Sequence, residues 1–254
     1  MLGEVRQQKI IELLERRKSV RISDLRDMFD VSEETLRRDL KKLDADGVLK
    51  RTHGGAVVSG EVHMVPSIAF RSRLLLLQKQ QIAARASLFI KENGTVLLDS
   101  GSTTLELARQ LSVRQVTVLT NDLNIALELT QSLSVQLIVL GGMQQKGGYS
   151  LTGPDCIEKI SNYHVDVAFL GAGGVCVNAG LTTASSAEAE VKKAMIKAAE
   201  KTYCVVDASK FGKTALVSYA MPGEIDGIIT DADSTHAIVE GFKKQGTEFA
   251  FVSI

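Results

Sequence analysis

From Lys79 onward the chain alternates short apolar runs with amphipathic stretches, and that alternation leaves few architectures open to it. The apolar runs are residues 95–98, 116–119, 135–140, 165–170, 203–206, 227–229 and 249–252. Each is strand-sized and mostly apolar, which suits strands buried on both faces. Helical periods fill most of the gaps, at 104–111, 123–129, 188–201 and 235–244. An earlier helix, carrying Ile82, Ala83, Ala86, Phe89 and Ile90, is expected to close on Asn93-Gly94 as a left-handed cap. The pattern predicts a Rossmann-like α/β domain with a mostly parallel sheet covered on both faces.

The first fifty residues have a different texture. They are charged, with apolar stripes at helical spacing: Ile10, Leu13 and Leu14, then Ile22, Leu25, Met28 and Phe29, then Leu36, Leu40 and Leu43. Helices this short are stable only when packed on one another. Gly60, Pro66 and their neighbours interrupt any period between 58 and 75. The expected organisation is a small domain over 1–57, a linker over 58–75 and a larger domain over 76–254, a division that 254 residues readily allow.

Lys+Arg and Asp+Glu number 30 each, so any nucleic-acid contact must come from a local patch. One such patch lies between Arg37 and Arg51, where six cations (Arg37, Arg38, Lys41, Lys42, Lys50, Arg51) face three acids (Asp39, Asp44, Asp46), a net +3. It sits in an ordered set of elements. Residues 22–29 read as a helix and Asp30-Val31-Ser32 as a turn, with Ser32 capping the next helix through the N–H of Glu34 or Thr35. Helix 33–44 buries its leucines, with Arg37 and Lys41 on one flank and Glu34, Arg38 and Lys42 on the other. Arginines on a leucine-anchored helix suit a major groove, where Arg bridges guanine O6 and N7. Asp46-Gly47 ends this helix, and 48–57 reads as a two-stranded wing whose Lys50, Arg51 and His53 suit phosphate or minor-groove contact. The set predicts a winged helix-turn-helix bound to double-stranded DNA through Ser32, Glu34, Thr35, Arg37, Arg38, Lys41, Lys42, Lys50, Arg51 and His53.

In the larger domain the strand ends carry the polar residues. The runs lead into Asp99-Ser100-Gly101-Ser102-Thr103-Thr104, Thr120-Asn121-Asp122, Gly141-Gly142, Gly171-Ala172-Gly173-Gly174, Asp207-Ala208-Ser209-Lys210 and Thr230-Asp231. The carboxyl ends of a parallel sheet lie along one edge, and ligands of open α/β sheets bind in the crevice there. Ser100 to Thr104 is the phosphate candidate: a glycine for close approach, hydroxyl donors, and the free N–H groups of a following helix. Lys210 would add positive charge. The glycines 171–174 miss the dinucleotide fingerprint because Cys176 stands where its third glycine belongs, and no triphosphate-binding loop follows any strand.

Other classes find little support. No apolar run approaches a membrane span, and residues 1–18 are charged without a leader-like core, so a cytoplasmic protein is expected. Cys156, Cys176 and Cys204 are scattered and read as small buried hydrophobes. His53, His63, His164 and His236 form no cluster, so no metal, cofactor or catalytic residue is predicted.

Residues 30–40, Asp30-Val31-Ser32-Glu33-Glu34-Thr35-Leu36-Arg37-Arg38-Asp39-Leu40, followed by Arg51-Thr52-His53-Gly54-Gly55-Ala56, resemble the signature of DeoR-type bacterial transcription regulators. The family more often has isoleucine where Leu36 stands. The loops at 98–104, 120–126, 140–142, 151–154, 166–172 and 206–212 resemble the same family's sensor domain, which is similar in fold to ribose-5-phosphate isomerase. The resemblance implies a repressor of carbohydrate-metabolism genes, a homodimer or homotetramer on its operator, released by a phosphorylated sugar. It places the phosphate at Asp99, Ser100, Gly101, Ser102, Thr103 and Thr104, and the sugar among Asn121, Asp122, Gly171, Ala172, Gly173, Gly174, Asp207 and Lys210. The alternatives are an isomerase-like enzyme with a DNA-binding appendage, whose base would be Asp99, Asp122, Asp166, Glu188 or Asp207, and a DNA-bound scaffold.

Overall fold

The computed structural model describes residues 3–45, 48–58, 72 and 74–253. The chain forms two compact units, 1–74 and 75–254. Most of the expected linker, and the Asp46-Gly47 stop, lie outside the described residues.

The first unit runs α1 (Gly3–Arg17), β1 (Ser19–Arg21), α2 (Ile22–Phe29), α3 (Glu33–Ala45), β2 (Leu49–Thr52) and β3 (Gly55–Val58). Asp30 stops α2 in the left-handed conformation, φ 51°, with its N–H on the Arg26 carbonyl. Ser32 Oγ accepts the Thr35 N–H at 3.3 Å, and Glu33 and Glu34 occupy the first turn of α3, where its dipole favours them. Ile10, Leu14, Leu25, Leu36, Leu40, Leu43 and Leu49 form the core. Met28, expected in the α2 stripe, is 49 % exposed. It lies one position, about 100°, around the helix from Phe29, and eight residues present only Ile22, Leu25 and Phe29 inward. The wing has three strands, not two, in the order β1-β3-β2. β1 is three residues long and gives no periodic signal. Its presence explains Gly55, because a Cβ there would lie 1.9 Å from the Val20 carbonyl oxygen.

Asp39 is buried in this unit. Its carboxylate takes Arg6 Nε at 2.6 Å and Gln7 Nε2 at 2.8 Å, tying α3 to α1. Removing it takes a charged acceptor from the buried Arg6 guanidinium and from the Gln7 amide. Asp39→Ala is expected to cost about 3–5 kcal/mol, measured as a lower denaturant midpoint for the winged unit.

The second unit is built on a seven-stranded sheet in the order β15-β14-β12-β9-β4-β5-β6. Its strands are β4 (Thr95–Leu98), β5 (Val116–Thr120), β6 (Val135–Val139), β9 (Val165–Leu170), β12 (Ala199–Val205), β14 (Gly227–Thr230) and β15 (Glu248–Phe251). Every pairing is parallel. Val96 and Leu98 point to one face, where α4 (Leu76–Ser87), α5 (Ser102–Leu111) and α6 (Leu123–Leu129) pack through Ile82, Leu107 and Ile125. Leu97 points to the other, toward α7 (Pro154–Ser161), α8 (Ser186–Ala198) and α9 (Ala237–Lys243) through Ile160, Met195 and Phe242. A hairpin, β7 (Met143–Gln144) with β8 (Leu151–Thr152), and an antiparallel sheet of β10 (Gly174–Cys176), β11 (Gly180–Thr183) and β13 (Val217–Ala220) complete the unit.

The sequence pattern differs from this structure at two boundaries. Residues 199–201, expected as helix, open β12, because Ala199 and Lys201 pair with Val165 and Val167 of β9 and Lys201 meets Asp226 at 2.7 Å. α4 ends at Ser87, so Asn93 does not cap it. Asn93, at φ 54°, instead turns the chain into β4, its N–H on the Gln115 carbonyl.

Candidate DNA interface and sensor crevice

On the winged unit Arg37, Arg38, Lys41 and Lys42 project from α3, and Lys50, Arg51 and His53 from the wing, all exposed. Arg37 reaches Glu33 at 3.3 Å and Arg38 reaches Glu34 at 3.9 Å. These i,i+4 pairs are exposed, hence weak, and hold the guanidiniums without consuming them. A concave surface of about 530 Å³ between α3 and the wing is lined by Arg37, Asp44, Arg51, Thr52 and His53. Ser32 and Thr35 share a hydroxyl contact at 2.9 Å at the start of α3. Because Asp39 is internal and paired with Arg6, it does not offset the surface cations as the sequence count assumed.

In the sheet the chain runs outward from β4 through β5 to β6, then returns to the other side of β4 at β9. β4 and β9 therefore flank the topological switch point, the position at which open α/β sheets commonly bind ligands, and the residues after β4 and β5 there, Asp99, Ser102, Thr103, Thr104, Asn121 and Asp122, are buried. Asp99 lies at the base of this switch point. Its N–H donates to the Phe169 carbonyl at 3.1 Å, and its Oδ2 accepts the Gly171 N–H at 3.0 Å and an ion pair from Lys192 Nζ. Lys192 also donates to the Gly171 carbonyl at 3.0 Å and lies 5.2 Å from the centre of the Tyr219 ring, whose hydroxyl donates to the same carbonyl. Asp99 and Lys192 are 3 % and 4 % exposed. Burial raises the Tyr219 phenol well above its ordinary range and pushes the neighbouring Cys204 thiol up to about 12.

Beyond Asp99, Gly101 precedes α5 with no side-chain cap on the helix. The first N–H groups of an α-helix have no intrahelical partner, and here no side chain of the loop takes them. Thr104 turns its hydroxyl back on the Gly101 carbonyl at 3.0 Å, so it shapes the loop. Asp122, by contrast, caps α6, accepting the N–H groups of Asn124 and Ile125 at 2.7 and 2.9 Å, and takes the Ser100 hydroxyl at 2.5 Å. Burial raises its carboxyl above the usual range despite those donors. Asn121 anchors β8 through its amide nitrogen, 2.9 Å from the Leu151 carbonyl. Its buried Oδ1 has no hydrogen-bond partner among the described residues.

The remaining expected residues divide by role. Gly174 is required by packing, since a Cβ would lie 2.3 Å from the Lys213 carbonyl oxygen. Gly173 donates its N–H to Thr182, starting the β10–β11 hairpin. Asp207 accepts the backbone and side chain of Ser209, and Lys210 ends the 3-10 turn Ala208–Lys210 half-buried. Asp166 is at the opposite end of the sheet, where Thr95 and Lys91 hold its carboxyl below the usual range. Glu188 accepts the Thr183 hydroxyl at 2.6 Å.

Sequence reasoning missed Lys192 and Tyr219. The signal for Lys192 was a cation within the buried stripe Ala189, Lys192, Met195 of α8. Among the described residues no group of His, Cys, Asp and Glu could hold a metal ion, and no helix is long and apolar enough to cross a membrane.

A winged helix-turn-helix followed by an open α/β sheet with a cluster of polar residues at its switch point defines a DNA-binding regulator with a sensor domain. Residues 6–62 match the DeoR-like helix-turn-helix domain and 76–232 the DeoR C terminal sensor domain. The chain belongs to the DeoR family of transcriptional regulators, which bind DNA and are not enzymes. It is 33 % identical over 250 residues to the putative aga operon transcriptional repressor of Escherichia coli O157:H7, spanning 97 % of this chain and 93 % of that protein. It is 32 % identical over 248 residues to the HTH-type transcriptional repressor GlcR of Bacillus subtilis, spanning 98 % and 96 %. To the transcriptional repressor AccR of Agrobacterium fabrum it is 37 % identical over 237 residues, spanning 92 % of each. Among solved structures, ribose 5-phosphate isomerase A from Methanocaldococcus jannaschii matches at TM-score 0.39 and 20 % identity over 52 % of this chain and 53 % of that one.

The cysteines correct one expectation. Cys156 and Cys204 are buried, but Cys176 is half-exposed, and hydrogen bonds from the Asn178 and Ala179 backbone lower its thiol pKa. Burial lifts Cys156 to about 11. Reactivity follows the thiolate. An alkylating reagent near neutral pH is therefore expected to label Cys176 alone in the native protein, with mass spectrometry finding the other two modified only after unfolding.

Proposed function

We propose that this regulator is a cytoplasmic repressor of carbohydrate-metabolism genes, bound to a two-fold operator as a homo-oligomer and released by a phosphorylated sugar seated at the β4/β9 switch point. The observation that carries the reading is the uncapped start of α5 beside a carboxylate already neutralised by Lys192. A phosphate entering there meets free N–H donors and the Ser102 and Thr103 hydroxyls, with the charge of Asp99 offset by Lys192. The helix dipole adds only about 0.3–1 kcal/mol. Hydrogen bonds to a charged group contribute about 1.5–3 kcal/mol each, so three of them, about 4.5–9 kcal/mol, match an affinity between roughly 0.5 mM and 0.3 μM. The unpartnered Oδ1 of Asn121 would accept a sugar hydroxyl. Lys210 would lend a further cation from the β12 end. Relatives named as an aga operon repressor and as GlcR support the carbohydrate assignment.

An isomerase reading needs an available base. Among its candidates Asp99 is paired with Lys192, Asp122 caps α6, Asp207 holds its own turn, Glu188 is engaged by Thr183, and Asp166 lies at the far end of the sheet.

For DNA, Arg37 and Arg38 are placed to read base edges, and the wing cations to hold phosphates. Arg37→Ala or Arg38→Ala is expected to weaken operator binding by about 1–3 kcal/mol, with a smaller loss on random DNA. An equal loss on both assigns that residue to the backbone. For the effector, operator binding at fixed salt is titrated with pentose and hexose monophosphates and their parent sugars. One phosphate ester is expected to weaken binding about 5–150-fold while its parent does not, and Ser102→Ala removes that response. If no ester moves operator binding, the DNA reading stands and the second unit is a scaffold.

A further inference from the structure

The seven-stranded sheet has two edges, β6 and β15, and they are built differently. β15 carries Glu248, and the Lys243 ammonium lies 5.9 Å from the Phe249 ring centre and 5.2 Å from that of Phe251. Charge on an edge strand is a common device against strand addition. β6 has no such device. The seventeen residues from Leu129 to Gln145 contain no Asp, Glu, Lys, Arg or Pro, in a chain that is 24 % charged. Apolar side chains are exposed along this edge: Leu133 at 104 %, Val139 at 41 % and Met143 at 72 %. Beside it α6 turns Leu123 and Leu127 outward, one helical turn apart, at 39 % and 68 % exposure. Tyr149, whose carbonyl receives the Leu123 N–H at 3.0 Å, is also exposed.

We propose that β6 is the two-fold seam of the assembly, pairing antiparallel with β6 of a second copy so that one sheet runs through both. The number of copies rests on the two-fold operator reading above; the surface rests on the edge itself. A two-fold axis through a strand edge makes two copies of that strand antiparallel, which pairs the outer N–H and C=O groups of both. A register centred on Leu137 sets Val135 opposite Val139 of the second copy. Charge decides the occupant. Identical surfaces repel if they carry net charge, and an acidic or basic partner would require the opposite charge here; an uncharged apolar edge fits a copy of itself. Five strand residues span only about 17 Å, too short a contact to bury by itself the roughly 800 Å² per partner of a stable interface. The exposed leucines of α6 with Met143 and Tyr149 supply the flanking area.

The test is the mass of the full chain in solution by light scattering and sedimentation, which needs neither DNA nor sugar and so fails or succeeds independently of the effector reading. The wild type is expected to be a dimer or a tetramer. Val139→Lys with Gln136→Lys places like charges across the seam and is expected to weaken that association about 100-fold or more, giving half the mass. Leu127→Lys, on α6 and outside the strand, is the second variant and weakens it should the strand variant fail to fold. Leu88→Lys, at an exposed position away from this edge, leaves the mass unchanged. Circular dichroism and thermal unfolding confirm that each variant is folded. A monomeric wild type at tens of micromolar, or folded β6 and α6 variants that keep the wild-type mass, would overturn the proposal.

Discussion

The buried ion pair between Asp99 and Lys192 is the constraint on which the sensor crevice depends. Desolvating two charges costs several kcal/mol per ion, and the pair survives only where further hydrogen bonds complete it. Here they do. Asp99 takes the Gly171 N–H, Lys192 gives to the Gly171 carbonyl, and the Tyr219 hydroxyl and ring enclose the ammonium. The pair joins the loop after β4, the loop after β9 and helix α8, the three elements that meet where the sheet reverses direction. Apolar residues at these positions would fill the same space but would leave the Gly171 carbonyl and N–H with fewer partners. A lone carboxylate would set a negative charge beneath the start of α5. The pair therefore fixes the loop geometry and cancels the charge an anion would meet.

The winged unit repeats the device. Arg6 and Asp39 hold α1 to α3 from inside, which leaves the outer faces of α3 and the wing to cations. Both units thus bury one acid against one base, and in the winged unit this takes Asp39 off the face of α3 that carries Arg37, Arg38, Lys41 and Lys42.

The strands of the central sheet were legible because strands buried on both faces are mostly apolar, and runs such as 165–170, apolar but for Asp166 near its start, stand out against their flanks. The three helices of the winged unit were legible through their leucine spacing and the Ser32 cap. Elements held by pairing rather than by composition were not. β1, β10, β11 and the two-residue strands of the β7–β8 hairpin are too short for a period, and they form because a neighbour is in place. Asp39 and Lys192 were hidden for a related reason: Lys192 at helical spacing between Ala189 and Met195 hints that it faces inward, but the partner that makes this tolerable lies 93 positions away, as the partner of Asp39 lies 33 away. The loops around the crevice were found by their place after strands. Their different local roles, with Asp122 capping α6, Gly174 packed against the Lys213 carbonyl and the start of α5 left without a side-chain cap, needed coordinates.

The measurement that bears most directly on the switch-point crevice is amide hydrogen exchange of the full chain, with and without pentose and hexose monophosphates and their parent sugars. A phosphate ester that releases the operator is expected to slow exchange in the peptides covering residues 99–104 and 171–174, while its parent sugar leaves them unchanged. Release of the operator by an ester with protection confined to other segments would contradict the placement of the effector at the β4/β9 switch point.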